Sequence, residues 1–477
     1  MKMAYRLVVT IVLAALVTSQ AWAQPTPASK QPGAQGEQSP SPSDKTQPTP
    51  GPIVQPVPEE TQSPDVGKGP AGIKDGGCYC REGLFGLGGG CGVCDACGCA
   101  KPWTLPQPCL LQNLGFKVGG WLEQGTTFNT HNVAFNGPVA TNDWANEYQM
   151  NQLWLYLDRP AKTDGCGWAI GGHVDMIYGT DWRFGINHGL EDRINGFNFQ
   201  HYGLVLPQFY LEVAYNDLSV KFGHMAAILD YEAVPSVMNP FYSHSYSYGY
   251  TVPQLVTGVL ADYKVTDLFS VQAGVHRGWQ MFEDNNHNAD FMGGVKWVSL
   301  DKRSSLAYAV SIGPQDPAGD QSRFVHSLVL QQQLSQRLRY VLVQNLGWEN
   351  NGAPTGDDAE WYGINQYLLY KLNRYWSLNM RVEWMRDDDG ARIAGPGNIP
   401  GVYAFDGRGF AGDFYGITCG AIWRPHPNLM VRPEVRLDRF DGPPGLIGPA
   451  PGVAGLPFNN GLDSDQLTAA VDVIFTF

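Results

Sequence analysis

The sequence predicts an all-β protein, a transmembrane antiparallel up-and-down β-barrel of about 16 strands. Three observations carry this expectation: a closing segment that alternates residue by residue, connections that alternate between short and long, and a composition suited to a two-faced wall. In the closing segment, Leu467, Ala469, Val471, Val473, Phe475 and Phe477 share one face of an extended chain. Gln466, Thr468, Ala470, Asp472 and Thr476 share the other, with Ile474 the exception. Successive side chains of a strand point to opposite faces, so the segment has one apolar and one mostly polar side. Hydrophobic residues reach only 43%, with 57 glycines, 22 tyrosines and 14 tryptophans. A helical membrane protein needs apolar runs of about 20 residues. A barrel does not, because half of each strand faces water or the lumen.

The candidate strands are 114–123, 147–158, 167–178, 208–216, 218–225, 254–264, 268–278, 291–299, 304–312, 324–333, 337–346, 361–371, 375–385, 412–424, 428–438 and 466–477. Most come close to the ~9–11 residues that a tilted strand needs to cross a bilayer. In the fourth, Phe209, Leu211, Val213 and Tyr215 oppose Tyr210, Glu212 and Ala214. In the thirteenth, Leu378, Met380, Val382 and Trp384 alternate with Asn379, Arg381 and Glu383. The fifteenth is the clearest: Arg432, Glu434, Arg436 and Asp438 alternate with Val431, Pro433, Val435 and Leu437. Strands 337–346 and 412–424 alternate poorly.

Short links fall at 216–217, 265–267, 300–303, 334–336, 372–374 and 425–427. Long links fall between them, at 124–146, 179–207, 226–253, 279–290, 313–323, 347–360, 386–411 and 439–465. One rim of tight turns and one of long loops is barrel architecture. A soluble sandwich also has hairpins but does not sort its connections by length in this way. An even strand count leaves both chain ends on the short-turn rim, the periplasmic side of an outer-membrane barrel.

Residues 1–23 read as a signal peptide: Lys2 and Arg6, the apolar run 7–17, then Ala21-Trp22-Ala23 as a cleavage site. Losing those two cations takes the net charge from −13 to −15, which argues against a nucleic-acid partner. Residues 24–77, rich in Pro, Gln and Ser, are too poor in large apolar groups to fold and read as a disordered linker. It is a solvated spacer or a tail that contacts cell-wall polymer. In the segment 78–110, Cys78, Cys80, Cys91, Cys94, Cys97, Cys99 and Cys109 lie within 32 residues. An oxidising compartment favours disulfides among them, although the spacing also suits zinc or an iron–sulfur cluster. Seven is odd, leaving one thiol over. The barrel domain spans 111–477, and Cys166 and Cys419 have no assigned role.

If the apolar faces meet lipid, the opposite faces line the pore. The inward candidates are Lys117, Glu123, His173, Asp175, Glu212, Lys221, Lys296, Lys371, Arg381, Glu383, Arg432, Glu434, Arg436, Asp438 and Asp472. Leaving His173 aside, seven are basic and seven acidic, so they give no sign of ion preference. The acidic excess sits in the long loops, at Glu191-Asp192, Glu283-Asp284, Asp357-Asp358, Glu360 and Asp387-Asp388-Asp389. The link 226–253 differs from the others in being aromatic and nearly neutral, with Phe241, Tyr242, Tyr246, Tyr248 and Tyr250 among serines. It is the candidate constriction. No G-x-S-x-G, H-E-x-x-H or phosphate-cradling glycine loop is present, so no enzyme and no cofactor are expected.

Three stretches resemble the β-barrel porin-2, OmpL-like family, common in planctomycetes and related bacteria. They are Asn151-Gln-Leu-Trp-Leu-Tyr-Leu-Asp-Arg159, Gly172-His-Val-Asp-Met-Ile-Tyr-Gly-Thr-Asp-Trp-Arg183, and a third from Leu206-Pro-Gln-Phe-Tyr-Leu-Glu-Val213 through Val220-Lys-Phe-Gly223, Tyr231-Glu232 and Ser243 to Thr257-Gly258. The likeness covers roughly 114–477 and excludes the tail and cysteine cluster. The aromatic carboxyl terminus also resembles the closing strand of bacterial outer-membrane barrels, where it helps the assembly machinery recognise the chain. The resemblance implies an outer-membrane pore for passive diffusion of small hydrophilic solutes or ions, with no catalytic residues to carry over. Pores of this size are commonly homo-trimers. The alternatives are an outer-membrane or cell-wall anchor or adhesin, and an outer-membrane hydrolase.

Overall fold

The computed structural model describes residues 102–195, 201–393, 409–445 and 454–477. Its strands are β1 (Lys117–Asn129), β2 (Tyr148–Arg159), β3 (Trp168–Gly179), β4 (Gly203–Val205), β5 (Phe209–Tyr215), β6 (Leu218–Ala226), β7 (Leu255–Thr266), β8 (Phe269–Trp279), β9 (Asp290–Val298), β10 (Ser304–Pro314), β11 (Ser322–Gln333), β12 (Leu338–Glu349), β13 (Ala359–Lys371), β14 (Trp376–Asp387), β15 (Gly412–His426), β16 (Leu429–Asp441) and β17 (Asp465–Thr476). Each pairs antiparallel with its neighbour, and β1 pairs with both β2 and β17, so the sheet closes on itself. Segments β4 and β5 both pair with β3 and occupy one position in the wall, giving a 16-strand barrel. Each candidate strand has its counterpart here. Closure removes every unpaired edge, the condition for strands to cross lipid.

Two-residue periodicity decides the faces. On β17, Gln466, Thr468, Ala470, Asp472 and Ile474 are buried, whereas Leu467 and Phe475 are exposed. Ile474, the exception to the alternation, packs inward with Trp121, Trp154 and Met430. On β16 the charged row is buried, and Val435 and Leu437 are exposed. The outer surface carries two aromatic bands. Trp168, Tyr215, Tyr263, Trp297 and Tyr370 lie toward the short-turn rim, and Tyr148, Tyr178 and Tyr415 toward the long-loop rim. On β14, Trp376 and Trp384 bracket the outward Leu378, Met380 and Val382. Eight residues span about 27 Å along a strand, or near 20 Å once tilted, which suits the ~25 Å apolar belt of a membrane barrel.

The alternation of short and long connections holds in order, with less separation in length than the sequence suggests. The hairpin between β10 and β11 is only residues 315–321, because both strands run past their expected ends. The short-rim link 160–167 is one residue longer. Both ends of the described chain lie on the short-turn rim: Lys117 pairs with Asp158, and Phe477 exchanges two backbone hydrogen bonds with Gly120 (2.9 Å each). Among the described residues no helix is long and apolar enough to cross a membrane.

Candidate functional site: a loop held inside the lumen

The connection from β6 to β7, residues 227–254, folds into the barrel. It contains a 3-10 turn, Ser236–Met238, and one helical turn, Tyr246–Tyr250, capped by the Ser245 side chain accepting from Tyr248 N–H. Phe241, Tyr242, Tyr246, Tyr248 and Tyr250 are each at most 5% exposed. Irregular backbone at membrane depth is stable only where its N–H and C=O groups find partners, and here the barrel wall supplies them. Glu434 accepts from the N–H groups of Tyr242 (2.9 Å) and Ser243 (3.2 Å), and Glu383 from that of Tyr246 (2.7 Å). In the opposite sense, Arg432 donates to the Ser236 and Asn239 carbonyls (2.9 Å each). Arg381 donates to Ser243 O (2.8 Å) and Arg436 to His244 O (2.7 Å).

These charges also neutralise one another. Arg432 lies 2.6 Å from Asp472 and 2.8 Å from Glu123. Arg436 bridges Asp438 (2.7 Å) and Glu383 (3.2 Å), and Arg381 bridges Glu383 (3.3 Å) and the loop's own Glu232 (3.0 Å). All three arginines are at most 1% exposed. Tyrosine hydroxyls complete the set: Tyr242 donates to Asn151 (2.7 Å), Tyr246 to Asp438 (2.9 Å) and Tyr367 to Glu232 (2.7 Å).

Glycine makes room for the close approach. A Cβ on the inward Gly125 would lie 2.8 Å from the Tyr242 ring, and one on Gly416 would lie 2.6 Å from Glu383. Across the lumen the loop meets an apolar surface instead. Tyr231 and Phe241 pack with Ala307, Val329, Val341 and Val343, and Ile228 and Leu229 with Met292, Ala309 and Val325.

Within the loop, burial by itself would raise the Glu232 carboxyl, but Arg381 and His244 (2.8 Å away) outweigh it and hold it at about 2. Asp230 goes the other way. Burial, helped by the nearby Glu232 charge, raises it to about 6 against hydrogen bonds from Asn345 and from the N–H groups of Tyr231 and Glu232.

The inward candidates fall into three groups. Glu123, Arg381, Glu383, Arg432, Glu434, Arg436, Asp438 and Asp472 form the network that grips the loop. His173 and Asp175 form a second cluster: the imidazole bridges Asp158 (2.9 Å) and Asp175 (2.8 Å), and Trp154 donates to Asp175 (2.9 Å). Beside it, Lys221 sits 4.5 Å over the Tyr210 ring, and Glu212 accepts from the Ser219 hydroxyl. Lys117 and Lys371 are exposed at the short-turn ends of their strands, and Lys296 is half-buried on β9.

Pattern reading does not reach Glu232, Asp230 and His244, because periodicity says nothing about a loop. Only Glu232 has a sequence signal, which is the resemblance. Tyr231-Glu232 and Ser243 belong to its third stretch, and Asn151, Gln152 and Asp181 to the first two. Those three are joined, with Asp181 accepting from Asn151 and Gln152 (2.8 Å each). Of the cysteines, Cys109, Cys166 and Cys419 are exposed and unpaired among the described residues. The disulfide candidates Cys78, Cys80, Cys91, Cys94, Cys97 and Cys99 lie outside the described residues.

A closed antiparallel barrel with a greasy belt, aromatic bands and a loop braced inside its bore defines the class of outer-membrane β-barrel channels. The family described as "Putative beta-barrel porin-2, OmpL-like" matches residues 115–477, about three quarters of the chain, and the protein belongs to it. Solved structures similar to it include the outer membrane channel DcaP of Acinetobacter baumannii, at 10% identity and TM-score 0.48, covering 76% of this chain and 97% of that one. OprB of Pseudomonas putida is similar at 14% identity and TM-score 0.48, covering 77% and 96%. A trimer form of OmpT of Vibrio cholerae is similar at 11% identity and TM-score 0.47, covering 76% and 99%. No curated protein sequence matches the chain. By its family the protein is an outer-membrane porin.

Proposed function

We propose that small hydrophilic solutes or ions diffuse passively through this barrel past a constriction formed by residues 227–254. The observation that supports the reading is the loop's attachment: wall charges serve as hydrogen-bond partners for its backbone inside the lumen. A loop so fixed sets a bore narrower than the ring of strands, whose diameter follows strand number. On the same reading the short-turn rim and the amino-terminal tail are on the periplasmic side. The aqueous side of the lumen includes the rows around Glu212, Lys221 and Lys296.

The test is single-channel recording of the purified mature chain in planar bilayers. Steady ohmic conductance is expected, and deleting residues 236–250 is expected to raise it. Unchanged conductance in the deletion would end the constriction reading. Tight binding of the tail to peptidoglycan without any conductance would favour the anchor instead. The expected trimer is tested by cross-linking in detergent.

A further inference from the structure

At the short-turn end, the inner faces of β11 to β15 and loop residues 237–240 enclose a cavity of about 180 Å³. Arg337, Arg339, Lys371 and Arg424 line it, and no carboxylate does. Asn379, Ser377 and Gln333 add neutral hydrogen-bonding groups. The space is large enough for a small anion with part of its water, since a single water needs only about 10–15 Å³ by this kind of measure.

The position of these cations separates them from lipid headgroups. Arg339 lies between the outward Leu338 and Tyr340, Lys371 follows the outward Tyr370, and Arg424 follows the outward Trp423. Strand alternation therefore turns Arg339, Lys371 and Arg424 to the bore. The carboxylates of the same strands gather at the other end, at Glu349, Glu360, Asp387 and Asp413. Those nearer mid-barrel, such as Glu383, are buried in the arginine network. The lining of the cavity itself is therefore positive.

We infer that this vestibule is a binding station for small dissolved anions carrying phosphate or carboxylate groups, and that the pore passes anions in preference to cations. The inference rests on the pore reading and names its solute class. Bidentate guanidinium groups suit planar carboxylate and phosphate oxygens, and Lys371 adds a point charge. The acidic long loops lie at the opposite mouth and do not set the sign here.

The test uses the mature chain and an Arg337→Gln/Arg339→Gln/Lys371→Gln variant, both checked for heat-modifiable migration as a sign of a folded barrel. In a potassium chloride gradient the parent is expected to favour chloride, on the order of two- to fivefold, and the variant to approach unity. Inorganic phosphate on the short-turn side is expected to reduce the parent's chloride current and not the variant's. Cation preference in the parent, or phosphate block undiminished in the variant, overturns the inference while leaving the pore reading intact. Absence of current from both proteins defeats the pore reading instead. Calorimetric titration of the detergent-solubilised chains with phosphate then decides the station by itself. Binding by the parent alone supports it, and no binding, or equal binding, overturns it.

Discussion

Arg381 concentrates the physical logic of the lumen in one side chain. Its Nη groups donate to Glu232, to the Ser243 hydroxyl and carbonyl, to His244 O and to Thr418, while Nε lies 3.3 Å from Glu383. A buried ion pair adds little net stability over an apolar substitute, but removing one partner strands the other without water. Arg381→Ala leaves Glu232 and Glu383 each short of a counter-charge and frees a loop carbonyl. Breaking a buried pair this way costs about 3–5 kcal/mol. The expected outcome is a lower melting temperature in detergent and faster proteolysis within 227–254. A variant with parental melting and protection would show that the network does not hold the loop. Strand periodicity predicts an inward Arg381. It could not show that the guanidinium faces protein rather than solvent, because that depends on a loop more than 130 residues away in sequence.

At the scale of elements, the two poorly alternating strands have separate explanations. On β12 the inward Val341 and Val343 are apolar because Tyr231, Phe241 and Tyr367 pack on them, so this wall is a protein interface on its inner side. On β15 the inward Phe414 and Ile422 join loop-facing clusters, and Gly416 gives way to Glu383. The loop has its own acid–base signature. Asp230 holds its proton more tightly in the fold, at about 6 against 3.8, so stability falls as pH rises from about 4 through 6. The difference corresponds to roughly 3 kcal/mol. Glu232 has the opposite sign: depressed to about 2 from 4.5, its contribution is complete above 4.5 and lost as pH falls toward 2. The loop is therefore expected to be held most firmly near pH 4–5. Hydrogen exchange of 227–254 against pH, corrected for the intrinsic rate, measures this. Protection that climbs steadily from pH 4.5 to 7 would refute it.

Over the whole molecule, the first and last strands meet to complete the ring. Phe477 continues the pairing of β17 with β1 through Gly120, and a Cβ on Gly120 would lie 2.8 Å from the Phe477 ring. Trp103, ahead of β1, stacks on Phe475 with ring centroids 6.0 Å apart. Its backbone exchanges two 2.7 Å hydrogen bonds with Asn428. Deleting Phe477 removes two closing hydrogen bonds and the ring under which Gly120 sits. The fraction of chain reaching the heat-modifiable, outer-membrane form is expected to drop severalfold. Undiminished assembly would mean that the terminal aromatic has no part in closure.

The sequence by itself determined the wall: sixteen strands, their order, and the alternation of short and long links. All of these follow from a local period of two and from the need to pair every backbone group in lipid. Tertiary structure alone decided what fills the bore. Seven inward bases and seven inward acids look balanced along the chain. Folding seals five of the acids and three of the bases together against the loop, because burial and long-range pairing are set by which surfaces meet in space.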